Sequence, residues 1–199
     1  HPTRPVNPYG RTKLAVEAIL GDWCAADGSR RAISLRYFNP VGAHPSGRIG
    51  EDPNGLPNNL MSYVSQSAVS PRDVLNIFSD DYETCDGTGE RDYIHVMDLA
   101  EAHRAALEKV SGSNGHSVLN IGTGEGITVR ELVAAFELVL GREIPTCVAP
   151  RRAGDLPSFF ANSVRAEATL GWRATRSVAQ ICKDTWAWQS QNRNGYERA

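Results

Sequence analysis

Tyr9 and Lys13 stand four residues apart at the start of a stretch with helical periodicity, so their side chains lie one turn apart on one face. A phenol with an unperturbed pKa of about 10 is a poor base at neutral pH. A fixed ammonium beside it stabilises the phenolate and lowers that value, which turns tyrosine into an acid/base group. Lysine is scarce: Lys13, Lys109 and Lys183 are the lysines among 21 basic residues. Spacing alone fits a surface tyrosine and a solvated lysine equally well, because i, i+4 pairs are common. Further along, Arg91, Arg151 and Arg152 offer guanidinium forks that suit phosphate oxygens. The plain alternative for Arg91 is an ion pair with Asp92 or Asp86. If residues 151 and 152 are extended, adjacent side chains leave in opposite directions, so one of the two is expected to face a ligand.

Composition narrows the chemistry. The 199 residues carry 21 Lys plus Arg against 23 Asp plus Glu, a formal charge of −2, which gives no general pull toward nucleic acid or anionic lipid. No apolar run approaches the ~20 residues of a membrane-spanning helix. Cys24, Cys85, Cys147 and Cys182 are far apart with no CxxC pair, so neither a zinc site nor a redox motif is expected and the thiols read as reduced, in a cytoplasmic protein. The acidic stretch from Asp80 to Asp92 fails as a calcium loop: with Gly87 at its sixth position, Tyr82 falls first and Thr84 third, where carboxylates are needed. No metal site is expected. The chain opens at His1 without a methionine, almost directly into the Tyr9 motif, and reads as the C-terminal portion of a longer protein.

Elements that could position these residues alternate along the chain. Asn7-Pro8 leads into a helix with Val16, Ile19, Leu20 and Trp23, stopping near Asp27-Gly28. Residues 32–38 have the β-branched content of a buried strand. The stretch from Asn39 to Pro57 is dense in Gly and Pro and has no period, which predicts a long functional loop. A helix is expected over 58–69, a strand over 74–78, and a turn or exposed loop from Asp80 to Asp92. Tyr93 to Val96 begins a strand-to-helix passage with Asp98 as the expected cap of a helix over 99–110. A strand over 118–121 follows, then a capping box at Thr128-x-x-Glu131 opening a helix to about Leu140. An extended stretch over 144–149 and helices over 163–170 and 177–191 complete an α/β pattern. Gly122-x-Gly124-x-Gly126 follows a strand and precedes a helix, but its spacing is not that of a dinucleotide fingerprint. It reads as a tight turn feeding the Thr128 cap.

The strings Asn7-Pro8-Tyr9-Gly10-Arg11-Thr12-Lys13 and Leu35-Arg36-Tyr37-Phe38-Asn39-Pro40-Val41-Gly42 resemble the extended short-chain dehydrogenase/reductase family. Gly50-Glu51-Asp52-Pro53, Pro57-Asn58-Asn59-Leu60-Met61, the long string from Asp86 to Ala100, Arg151-Arg152-x-Gly154-Asp155 and Trp186-x-Trp188-Gln189 narrow the resemblance to its UDP-glucose 4-epimerase members. It runs over the whole chain.

This resemblance implies a fold: the C-terminal part of a Rossmann-type doubly wound sheet, roughly residues 1–40, with residues 41–199 mainly a smaller α/β substrate-binding domain whose strands and helices partly return to the sheet. It implies an NAD-dependent isomerase acting on UDP-glucose and UDP-galactose and pairing as a homodimer when intact. Tyr9 would take the proton from the sugar 4-hydroxyl, and Lys13 would lower the Tyr9 pKa and bind the nicotinamide ribose. Phe38 would pack beside the nicotinamide. Arg91 and Arg152 would contact the diphosphate, Asp155 the nucleoside ribose, and Asn39 and Asn59 the diphosphate and sugar, with Leu60 a further substrate contact. Asn76 and Phe78 would line the uridine pocket. Phe159 stands beside the sugar where family members often carry Tyr or a smaller residue, which predicts discrimination against N-acetylated sugars. The family's glycine-rich NAD turn and Ser/Thr partner precede the tyrosine and have no counterpart in these 199 residues, so the chain alone is expected to be inactive. A 4,6-dehydratase-type enzyme and a non-catalytic UDP-sugar-binding module are the competing readings.

Overall fold

Asn7 opens the first helix by accepting a hydrogen bond from the Gly10 backbone N–H at 2.7 Å, and Pro8 occupies a first-turn position where a missing N–H costs nothing. The computed structural model describes residues 3–55, 59–69, 74–152 and 154–196. In order, the elements are α1 (Pro8–Ala25), β1 (Arg31–Tyr37), β2 (Asn39–Val41), α2 (Leu60–Val69), β3 (Leu75–Phe78), β4 (Glu90–Arg91), β5 (Tyr93–His95) and α3 (Val96–Val110). They continue as β6 (Gly115–Ile121), β7 (Ile127–Thr128), α4 (Val129–Leu140), β8 (Thr146–Ala149), β9 (Ser158–Phe159), α5 (Val164–Leu170) and α6 (Val178–Gln191).

The expected α/β alternation is what the chain adopts. Three two-stranded sheets are each parallel: β1 with β6 in register from Arg31↔Gly115 to Tyr37↔Ile121, β2 with β5, and β3 with β8. The short β4 lies between antiparallel β7 and parallel β9. The Thr128 capping box is present, with Thr128 and Glu131 each accepting from the other's backbone N–H.

Three expectations need correction. The loop expected from Asn39 begins as a strand, because the Asn39 N–H donates to the Asp92 carbonyl and the next residues join β5; Leu56 to Asn58 lie outside the described residues. Asp98 is not the cap of α3. His95 takes that role, its Nδ1 accepting from the Met97 N–H at 3.0 Å, while Asp98 is buried one turn in and bonded to Arg176 and Thr175. The acidic stretch is not merely an exposed loop: Thr88 and Asp92 are fully buried, and Glu90–Arg91 forms β4. Burial of these two is affordable because both find partners: Thr88 donates from its N–H and its hydroxyl to the Asp86 carboxylate, and the Asp92 carboxylate accepts from Thr123.

Two apolar cores result. One packs Met61, Val64, Leu75, Tyr93, Leu132, Phe136 and Ile181 between the β2–β5 and β3–β8 pairs and helices α2, α4 and α6. The other packs Ile94, Leu99, Leu119, Ile121, Leu170 and Trp172 around β6, α3 and α5. Strand β5 serves both through the two-residue alternation of its side chains: Tyr93 faces the first core and Ile94 the second.

Candidate functional site

A cavity of about 310 Å³ opens where β2, β3, β4 and β5 meet the start of α2, the start of α4 and the 152–155 segment. Seven residues singled out from the sequence converge on it: Asn39, Leu60, Asn76, Phe78, Arg91, Arg152 and Asp155. The strand positions explain how. Asn76 and Phe78 are two apart on β3 and so share a face, and Asn39 is paired in register with Tyr93 of β5.

Both cavity arginines are held in place by the protein. Arg91 donates from Nη1 to the carbonyls of Glu90 and Leu156, each at 2.8 Å, and its Nη2 lies 3.8 Å from the Asp155 carboxylate. Arg152 stacks its guanidinium over the Phe78 ring, 3.6 Å from the centroid. Arg151 turns the other way, donating from Nε to Asp81 at 2.8 Å and lying over the Tyr82 ring, and this bond above all holds the Asp81 carboxyl below the usual carboxylate range. One arginine of the adjacent pair therefore faces the cavity, as extended geometry requires. The thiol of Cys147 donates to Asn76 Oδ1 at 2.8 Å from the paired strand.

Asp92 is not the partner of Arg91. It points away from the cavity, fully buried, and its carboxylate accepts from the Thr123 N–H and hydroxyl, the Gly124 N–H and the Ala161 N–H at 2.7–3.1 Å. Those bonds use the donors of the Gly122–Gly126 turn. A Cβ at Gly122 would lie 2.4 Å from Asp92 Oδ2, and one at Gly126 would lie 2.4 Å from the Glu90 carboxyl carbon. These glycines are required by packing against two carboxylates, and the turn does not fit an anionic phosphate.

The other expected site residues lie outside the cavity wall. Tyr9 is 70% exposed on the first turn of α1, with the Lys13 ammonium 5.2 Å from its ring centroid. Phe38 and Phe159 stack with ring centroids 4.8 Å apart at 27°, and the β4–β9 register sets Phe159 beside Arg91. Asn59 donates from Nδ2 to the Pro40 carbonyl at 3.0 Å, tying β2 to the start of α2, and its Oδ1 is sealed off without a partner among the described residues.

Tyr63, Leu75, Tyr82, Tyr93 and Val129 line the cavity as well and were not singled out from the sequence. Two carried a readable signal. Tyr93 follows Arg91 by two residues along one extended run, and Tyr63 follows Leu60 by three on α2.

Known proteins are similar to this chain in sequence and fold. The UDP-glucose 4-epimerase of Bacillus subtilis is 56% identical over 198 residues, covering 100% of this chain and 58% of that protein. The human UDP-glucose 4-epimerase is 50% identical over 197 residues, covering 98% of this chain and 57% of that protein. The crystal structure of UDP-glucose 4-epimerase from Bifidobacterium longum in complex with NAD+ and UDP superposes with a TM-score of 0.91 at 46% identity, over 96% of this chain and 56% of that one. The chain thus spans a little over half the length of these relatives, and the shared architecture is a Rossmann-like α/β fold. The profile of the NAD dependent epimerase/dehydratase family matches residues 1–122, and the chain belongs to that family.

Proposed function

We propose that the protein interconverts UDP-glucose and UDP-galactose at C4 in an NAD-dependent reaction, the cavity gripping the UDP portion of the substrate. One observation carries this reading: two braced guanidinium groups, a ribose-competent carboxylate (Asp155) and an aromatic platform converge in one cavity. Guanidinium forks match diphosphate oxygens through charge-assisted bonds. Binding the nucleotide tail leaves the hexose free to turn over as a 4-keto sugar while it is kept from escaping.

NAD, when bound, supplies the hydride acceptor and donor at C4. Tyr9, Lys13 and Phe38 would hold its nicotinamide end; the open face of Tyr9 and the nearby Lys13 ammonium suit that role, whereas the Gly122–Gly126 turn does not suit its phosphates. Tyr9 removes the proton from the sugar 4-hydroxyl and returns it, and the Lys13 charge stabilises the phenolate. Asn39 and Asn59 would reach the diphosphate and sugar, and Asn76 and Phe78 the uridine. Val16, Ile19 and Trp23, exposed along α1, supply an apolar face for homodimer pairing, and the free thiols of all four cysteines suit the cytoplasm.

Titrating the purified intact protein separately with UDP and with NAD, then assaying UDP-galactose conversion, tests the proposal; the 199-residue chain alone is expected to bind UDP without turnover. UDP binding is expected, and Tyr9→Phe is expected to cut turnover about a hundredfold or more while UDP affinity stays within about twofold. UDP binding with neither NAD binding nor turnover would favour a non-catalytic module. Absence of UDP binding would sink both.

A further inference from the structure

Glu17 lies one helical turn beyond Lys13 and two beyond Tyr9 on α1, so the three side chains form one stripe. At that spacing a carboxylate is within reach of the lysine ammonium. It does not hold it. Lys13 stands over the Tyr9 ring, 5.2 Å from the centroid, and makes no ion pair among the described residues.

The Glu17 carboxylate is occupied from the strand side. Arg36 on β1 donates from Nε to one oxygen at 2.6 Å and from Nη2 to the other, a fork that engages both oxygens at once. The Glu17 side chain is 16% exposed, so salt screens its charge much less than that of a surface group. The Arg36 bond above all holds the Glu17 carboxyl below the usual carboxylate range, although burial pushes the other way. His116 on β6, bonded to the Ser34 hydroxyl at 2.8 Å, is the other titratable group that acts on Glu17 among the described residues.

We infer that Arg36 is a positioning residue for the acid/base pair: by occupying the Glu17 carboxylate it leaves the Lys13 ammonium to Tyr9. This deepens, and rests on, the reading of Tyr9 and Lys13 given above. Without the guanidinium, a poorly screened carboxylate on the same stripe competes with the phenolate for one cation. The phenolate then loses the charge that stabilises it.

NMR of ring-labelled tyrosine in the intact protein reads Tyr9 ionisation directly, the signal being assigned by its loss in Tyr9→Phe. Arg36→Met is expected to move the Tyr9 midpoint up by about half a pH unit, a loss of about threefold in phenolate below it. Glu17→Gln/Arg36→Met, which removes the competitor as well, is expected to return the midpoint to its wild-type position. An ion pair that merely braced α1 against β1 would give no such return. Arg36→Lys keeps the charge in place for folding but not the fork, and is expected to move the midpoint the same way by less. In a Lys13→Met background the Arg36→Met substitution is expected to lose its effect. An unmoved midpoint in both Arg36 variants would overturn the inference. So would a double variant displaced as far as Arg36→Met, or an undiminished displacement without Lys13. The epimerase reading fails separately, by absence of UDP-galactose turnover in the wild type, a measurement that this titration does not use.

Discussion

Arg152 sets its guanidinium 3.6 Å from the ring centroid of Phe78, so a cation and an aromatic face form one wall of the cavity. The ring fixes the plane of the fork and leaves its edge free for two parallel bonds to phosphate oxygens. Lysine keeps the charge but loses both plane and fork. Arg152→Lys is expected to weaken UDP binding about tenfold by calorimetry with the melting temperature unchanged. Wild-type affinity in this variant would mean that only the net charge matters.

Arg91 and Asp92 are sequence neighbours with opposite duties, and their variants are expected to separate stability from binding. Asp92→Asn places an amide NH2 group among N–H donors in a sealed site, which is expected to cost about 3 kcal/mol in urea denaturation. Arg91→Ala removes a partly exposed pair with Asp155 and the bonds to the Glu90 and Leu156 carbonyls, together worth about 1–2 kcal/mol, yet is expected to lower UDP affinity at least tenfold. If Arg91→Ala destabilised the protein as much as Asp92→Asn does, Arg91 would belong to the frame and not to the ligand.

Much of this was legible in the sequence because local chemistry fixed it. The Asn7 cap, the Thr128 box and the glycines after α4 and α5 act within one turn, and the strand faces of Asn76, Phe78 and Arg91 follow from a period of two. What escaped was set by distant partners. Nothing within a few residues of Asp98 announces Arg176 as its ion-pair partner, nor Thr123, Gly124 and Ala161 as donors to Asp92. Composition made the Asp80–Asp92 stretch look solvated, whereas long-range hydrogen bonds bury part of it. Asp155 as the partner of Arg91 was hidden for the same reason: the pair joins residues 64 positions apart in the chain.

Phe159 is half exposed and stacked on Phe38, so its ring occupies volume beside the site at which the sugar is proposed to lie. Replacing it with alanine removes that bulk and leaves Phe38 in place. Phe159→Ala is expected to raise the turnover of UDP-N-acetylglucosamine relative to UDP-glucose about tenfold, the scale on which a few methylene-sized groups discriminate in a pocket. Paired steady-state assays of the two substrates with the intact protein read this directly. An unchanged ratio would show that the N-acetyl group is accommodated elsewhere.

His95 is fully buried, and both ring nitrogens are committed. Nδ1 accepts from the Met97 N–H at 3.0 Å, so the ring hydrogen sits on Nε2 and points at the Asp184 carboxylate 3.1 Å away, itself bonded by Gln180. Burial lowers the His95 pKa below 6.5 despite the pull of Asp184, because a second proton would displace the Met97 bond and charge a dry site. The unfolded chain takes up that proton near its ordinary value of about 6.5, and the folded chain resists it. Stability is therefore unaffected by this residue above pH 7 and falls as the pH drops through 6.5 toward the lower folded value. Urea denaturation is expected to show a loss of about 1 kcal/mol between pH 7.5 and 5.5. In His95→Gln, which cannot take up the proton, that part of the slope is expected to vanish even though the baseline stability is lower. A slope that survives in His95→Gln would assign the pH dependence to another histidine.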